Sequence, residues 1–124
     1  MFLLSLFYVG ILFQIVRILL EHSANINISD IRGATPLHRA ASKGNLDVVK
    51  LLLKFKGNLS LEINVKDVYG NTPLHLACEE DRREEAKLLV ENGASLEVKN
   101  RETKTPLDVC SHGLFRILNG STLQ

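Results

Sequence analysis

Thr35-Pro36-Leu37-His38 recurs as Thr72-Pro73-Leu74-His75, and a third copy, Thr105-Pro106-Leu107-Asp108, ends in aspartate. The copies start 37 and then 33 residues apart. A threonine hydroxyl suits the cap of a helix, where it accepts a bond from an unsatisfied backbone N–H. A proline that follows it occupies the first helical position, where its missing N–H is not needed. Each tetrapeptide therefore predicts the start of a short helix in one of three successive repeats.

A second helix is expected to follow the first in each repeat. The first helix is predicted over Pro36–Lys43, and Gly44 makes the turn because glycine adopts positive φ freely. Apolar side chains at helical spacing over residues 46–53 predict the second helix. In the next repeat Asp81 takes the turn position, since aspartate tolerates a left-handed backbone better than most residues. The helices of that repeat are predicted over Pro73–Glu80 and Glu84–Glu91.

A period near 33 residues with Thr-Pro-Leu-His is typical of ankyrin repeats. The predicted fold is therefore an all-α solenoid of three to four helix-turn-helix repeats joined by short β-hairpin loops. Residues 1–14 form an apolar segment outside the repeats, 15–118 the repeat domain and 119–124 a tail. Within the domain we distinguish a partial repeat at 15–30, repeats at 31–67 and 68–100, and a C-terminal capping repeat at 101–118.

The N-terminal segment departs from the repeat pattern. Met1–Phe13 has no charged residue, and the apolar run continues to Leu20. Three interpretations are open. The chain is a fragment or a misassembled gene model, in which this segment stands where earlier repeats are lost. Alternatively it is a membrane span or secretory signal, or an atypical cap of the stack. Residues 15–22 align with residues 47–54, which indicates the second helix of a truncated repeat.

Composition favours one domain that works by contact with a protein. The chain has 124 residues, 45% of them hydrophobic, and a net charge of +1, which argues against general binding of nucleic acid. Residues 31–60 carry six Lys/Arg and one Asp, a net +5, whereas residues 61–100 carry nine acids and five bases, a net −4. Such polarity would orient a partner of the opposite pattern. The other interpretation is an ordinary solvated surface.

No residue pattern indicates an enzyme, a metal site or a cofactor site. His38 and His75 occupy equivalent repeat positions and are expected to bond loop backbone of the adjacent repeat. Cys78 and Cys110 are the only cysteines, and both are expected to pack as free thiols, which fits a reducing compartment. Neither a metal-ligand spacing nor a cysteine–histidine pair for catalysis is present in the sequence.

One stretch is more particular than the general repeat. The sequence from Gly70 to Val90, followed by Gly93-Ala94-Ser95 and Lys104–Leu107, resembles the C-terminal half of the gankyrin family (proteasome 26S non-ATPase regulatory subunit 10). Residues 30–46 are similar to the next repeat upstream, so the resemblance covers about residues 15–118. It implies an assembly chaperone of the proteasome regulatory particle, in cytoplasm and nucleus, that binds the C-terminal domain of a proteasomal ATPase subunit. The chain departs from the family in lacking the N-terminal repeats, in four extra residues around Ser60–Ile63, and in its tail, Ser121–Gln124.

The resemblance also implies where the partner binds. The residues are those of the first helices and loop tips that line the concave face: Arg32, Arg39, Ser42, Lys43, Tyr69, Leu76, Glu79, Glu80, Arg101 and Lys104. The family has a Leu-x-Cys-x-Glu motif linked to the retinoblastoma pocket protein, matched here by Leu76, Cys78 and Glu80. The alternative interpretation of this motif is plain repeat core, because Cys78 is at an inward helical position.

Two further functions remain open at the level of sequence. One is a membrane-tethered ankyrin scaffold with Met1–Leu20 as its anchor. The other is a different ankyrin regulator, resembling the small inhibitors that bind a cyclin-dependent kinase.

Overall fold

The computed structural model describes residues 14, 17–18, 27–54 and 61–123, with side chains up to residue 120. The N-terminal segment over residues 1–13, most of the partial repeat at 15–30, and part of the extra residues near Ser60 lie outside the described residues. Within that part the chain is helical and contains no strand. Its helices are α1 (Pro36–Lys43), α2 (Leu46–Lys54), α3 (Pro73–Glu79), α4 (Arg83–Glu91), α5 (Pro106–Val109) and α6 (His112–Leu123).

The predicted helix starts are confirmed at all three tetrapeptides. Thr35 has an extended backbone, and its hydroxyl accepts the His38 N–H, while His38 Nδ1 accepts the Thr35 N–H at 3.1 Å. Thr72 makes the same reciprocal pair with its own histidine. In the third copy the Asp108 carboxylate accepts the Thr105 N–H at 2.9 Å. Each pair satisfies two backbone donors at a helix start, so the tetrapeptide is a self-contained capping unit.

The turns between paired helices also follow the prediction. Gly44 has φ +73° and Asp81 has φ +55°, both in the left-handed region. Asn45 caps α2 by accepting the Val48 N–H at 3.3 Å. At the equivalent place before α4 stands Arg82, whose Nε donates to the carbonyl oxygen of Ser42 at 3.1 Å. Arg82 therefore fastens one turn to the preceding repeat instead of capping its own helix.

The helices form two layers. The first helices, α1, α3 and α5, pack side by side as an inner layer, and the second helices, α2, α4 and α6, form an outer layer behind them. Buried alanines on the first helices, such as Ala40, Ala41 and Ala77, allow close approach. The core between the layers is made of fully buried side chains that include Leu37, Val49, Leu52, Leu74, Leu89, Leu114 and Leu118. Helix α6 continues through residues 119–123, beyond the expected end of the capping repeat at residue 118.

The loops before the first helices are tight turns linked to one another. In each loop an N–H of its first residue is bonded to the carbonyl four residues on, as between Asp67 and Asn71 at 2.9 Å. Adjacent loops are joined by Val68 N–H to Arg32 carbonyl, 2.9 Å, and by Arg101 N–H to Tyr69 carbonyl, 3.0 Å. The predicted hairpin loops are thus a connected row of turns. This row and the inner helices together make one surface, which we call the inner face.

Candidate protein-binding face

Two buried histidines hold the inner face together. His38 Nε2 donates to the Asn71 carbonyl oxygen at 2.8 Å, and His75 Nε2 donates to the Lys104 carbonyl oxygen at 2.9 Å. Because each Nδ1 accepts a backbone N–H, the ring proton is on Nε2 in both. Burial lowers the pKa of both imidazoles, so the neutral form is favoured. The prediction that these histidines bond the loop of the next repeat is confirmed.

The inner face contains two neighbouring cavities, and the smaller one lies beside α1. Its volume is about 160 Å³, and it lies between the first two described loops and the first two inner helices. Five of the predicted partner-binding residues line it: Arg32, Arg39, Ser42, Tyr69 and Leu76. We call this the near cavity. Asp67 and Asn71 also line it, although neither was predicted from the sequence as a partner-binding residue.

A larger cavity follows beside α3 and α5. Its volume is about 430 Å³, and three predicted residues, Tyr69, Glu79 and Lys104, line it. We call this the far cavity. Its other lining residues were not predicted from the sequence as partner-binding: Asn71, Asn100, Glu102, Asp108 and Val109. Only Asp108 among them stands out in the sequence, because it replaces the histidine that is buried in the other two repeats.

Three predicted residues lie outside both cavities. Lys43 is the exposed last residue of α1, Glu80 is exposed as the cap that follows α3, and Arg101 is exposed at a loop tip. The structure therefore groups seven of the ten predicted residues around two neighbouring cavities and leaves these three beside them.

The two cavities differ in charge. In the near cavity Arg39 is paired with Asp30 at 2.6 Å, and this bond lowers the pKa of the Asp30 carboxyl. The far cavity has three carboxylates, from Glu79, Glu102 and Asp108, and a single ammonium group from Lys104. Bonds from the Thr105 backbone and hydroxyl lower the pKa of Asp108. Among the residues that line them, the near cavity thus has two guanidinium groups and one carboxylate, from Asp67, whereas carboxylates predominate in the far cavity.

The Leu-x-Cys-x-Glu match lies in helical structure. Leu76 and Cys78 are within α3, Cys78 is only 1% exposed, and Glu80 is exposed just after the helix. Burial raises the pKa of the Cys78 thiol. Binding to a pocket would need an extended segment with the leucine, cysteine and glutamate side chains all exposed. This segment is helical, and its cysteine belongs to the core. Cys110 is a second free thiol and is half-buried.

Among the described residues, no group of three or more His, Cys, Asp or Glu side chains is placed to hold a metal ion. No helix in this part of the chain is long and apolar enough to cross a membrane. The proposed anchor over residues 1–20 lies largely outside the described residues.

Stacked helix pairs with a polar, open inner face define a repeat protein that works by contact. Two sequence models described as "Ankyrin repeats (many copies)" match residues 13–53 and 56–110. The chain belongs to the ankyrin-repeat family. It is a protein–protein interaction module, as ankyrin repeats generally are, and neither match indicates a catalytic family.

Curated relatives match over about one repeat. Human Ankyrin repeat domain-containing protein 63 is 47% identical over 45 residues, which are 36% of this chain and 12% of that protein. A putative ankyrin repeat protein of Rickettsia bellii (strain RML369-C) is 48% identical over 42 residues, 34% of this chain and 43% of the relative. One of fowlpox virus (strain NVSL) is 43% identical over 47 residues, 37% of this chain and 14% of the relative. The chain matches less than half the length of each of these relatives.

Proposed function

We propose that the inner face binds the C-terminal domain of a proteasomal ATPase subunit, and that the chain acts in assembly of the proteasome regulatory particle. One observation carries the proposal. Seven of the ten residues that the resemblance to the gankyrin family implies line two adjacent cavities that share Tyr69. Residues that are far apart in sequence therefore form one continuous surface, as a docking face for a folded partner requires.

The physical character of this surface supports a protein partner. Tyr69 is 57% exposed although it is a large aromatic residue, and Val68 beside it is 40% exposed. Exposed aromatic side chains within a polar surround are typical anchors of protein interfaces. The charges around them would govern the rate of association and its salt dependence. We propose cytoplasm and nucleus as the location, which agrees with the two free thiols.

Titration of the full chain against the purified C-terminal domain of the proteasomal ATPase tests the proposal. We expect saturable binding, measured by calorimetry, that weakens strongly in Tyr69→Ala. Glu84→Lys is the matched surface control, since Glu84 is exposed on outer helix α4. Lack of binding by the unaltered chain would refute the proteasomal partner. Binding of a cyclin-dependent kinase at the same face, without binding of the ATPase domain, would support the alternative function of a kinase regulator.

A further inference from the structure

We propose that the inner face recognises a partner segment of ordered charge, with a basic side chain, preferably arginine, in the far cavity and an acidic side chain beside Arg32. The ring of Tyr69 contacts the partner between these two points. This inference rests on the proposed use of the inner face for binding, and it adds the chemistry and the direction of the segment that binds.

Tyr69 lies between the two cavities, and its backbone is held by hydrogen bonds. It lines both of them, and its ring is largely exposed. Its backbone is held on both sides, because its N–H is bonded to the Asp67 carboxylate at 2.9 Å and its carbonyl accepts the Arg101 N–H at 3.0 Å. An aromatic side chain on a fixed backbone offers a large contact area at low entropic cost.

The far cavity suits a guanidinium group. Its carboxylates come from three separate elements: Glu79 from α3, Glu102 from the loop before α5, and Asp108 from α5 itself. A carboxylate pairs with the planar fork of an arginine, and a guanidinium also stacks on an aromatic ring such as that of Tyr69. Lys104 offsets only one of the three negative charges.

The floor of the far cavity is already ordered. Asn100 Nδ2 donates to Asn71 Oδ1 at 2.9 Å, and the Asn100 side-chain oxygen accepts the N–H groups of Glu102 and Lys104 at 2.9 and 3.0 Å. Both polar atoms of the Asn100 side chain are thus committed to the loops, and Asn71 Oδ1 is committed to Asn100. A site that is ordered before binding loses less entropy on association.

Arg32 is the cation available to the partner in the near cavity. The Arg39 guanidinium is paired with Asp30, and the Asp67 carboxylate accepts the N–H groups of Tyr69 and Asn71, both at 2.9 Å. Within the described part of the chain the exposed Arg32 side chain makes no such bond. Along the inner face, the Arg32 cation is therefore followed by the Tyr69 ring and then by the carboxylates of the far cavity. A complementary partner segment has an acidic residue, an apolar contact and a basic residue in the same order.

Selection and charge exchange test this inference. A phage-displayed library of random linear peptides is selected on the full chain, and peptides that lose binding in Tyr69→Ala are kept. We expect them to share a basic residue separated from an acidic one. Their affinity should fall at least about tenfold in Glu79→Lys and in Arg32→Glu. Exchange of the peptide's basic residue for glutamate should restore binding to Glu79→Lys. All three altered residues are exposed, and circular dichroism verifies folding.

The controls are Lys50→Glu and Glu84→Lys, which make the same charge changes in the groove between outer helices α2 and α4. Peptides that need Tyr69 yet bind Glu79→Lys and Arg32→Glu unchanged would overturn the charge order while leaving the inner face as the docking site. If every selected peptide bound Tyr69→Ala, Glu79→Lys and Arg32→Glu as well as the unaltered chain, the binding would lie elsewhere, and both the charge order and the proposed use of this face would be overturned.

Discussion

His75 on α3 is bonded to the carbonyl oxygen of Lys104 on the following repeat, with Nε2 donating at 2.9 Å. The same ring accepts the Thr72 N–H at its own helix start. Since Lys104 also lines the far cavity, one buried side chain connects a helix cap, a repeat boundary and the candidate site. The repeat motif therefore determines the shape of the binding face as well as the stability of the stack.

Replacement of His75 should destabilise the fold. His75→Ala leaves the buried Thr72 N–H without an acceptor, and an unsatisfied buried donor costs about 1–3 kcal/mol. The free energy of unfolding from urea titration measures the loss. His112→Ala is the control, since His112 is exposed, and it should change the value by no more than about 0.5 kcal/mol. Equal stability of the two variants would contradict the role assigned to the buried ring.

Stability should also fall with mild acid. The folded pKa of His38 and of His75 is below the ordinary value of 6.5 because burial disfavours the charged ring. Between the folded pKa and the unfolded pKa of 6.5, the unfolded chain therefore binds more protons than the folded chain. The contribution of these histidines to the free energy of unfolding is complete above pH 6.5 and decreases as the pH falls through the folded pKa. Urea titrations at several pH values from neutral to about 5 measure this slope. In His75→Ala the slope should be smaller, and an unchanged slope would contradict the assignment.

The sequence predicted the parts of the fold that depend on local chemistry. Thr35 and Pro36 determine a helix start through their own hydroxyl and ring, and Gly44 determines a turn through its φ, so neighbours in sequence were sufficient. The far cavity was only partly predicted, because Asp108, Glu102 and Glu79 are brought together by the stacking of repeats. The pairing of Arg39 with Asp30 likewise depends on how a loop turns back over its helix.

Two loop glycines give a matched test of the row of turns. Gly70 has φ +77°, and a Cβ there would lie 2.9 Å from the Arg101 backbone nitrogen. Gly93 has φ +100°, but a Cβ there would meet nothing within 4 Å. Both alanine variants carry backbone strain of about 1–2 kcal/mol, and Gly70→Ala adds a steric clash between loops. We expect a clearly lower melting temperature for Gly70→Ala than for Gly93→Ala, and the reverse order would refute the close approach of the two loops.

The central leucine of the second tetrapeptide should be among the costliest side chains to truncate. Leu74 is 0% exposed and lies between the two helix layers, so Leu74→Ala leaves a cavity and should lower stability by about 2–5 kcal/mol. Leu76, two residues on, is only half-buried and lines the near cavity, so Leu76→Ala should cost less. Thermal and urea unfolding of both variants measure the difference. A melting temperature unchanged in Leu74→Ala would mean that the repeat register is wrong.

Asp108 should separate binding from stability, because it replaces the histidine of the other two repeats at a place where the side chain faces the far cavity. Asp108→Asn keeps an oxygen that accepts the Thr105 N–H, so the helix cap remains, but it removes one of the three negative charges. We expect the melting temperature to change little, while the affinity for a partner segment with a basic residue decreases several-fold and becomes less sensitive to salt. The measurements are thermal unfolding and calorimetric titration in low and high salt. Glu84→Gln on outer helix α4 removes the same charge away from the cavity and should leave binding unchanged. If Asp108→Asn bound the basic segment as tightly as the unaltered chain, with the same salt dependence, the carboxylate would have no part in recognition.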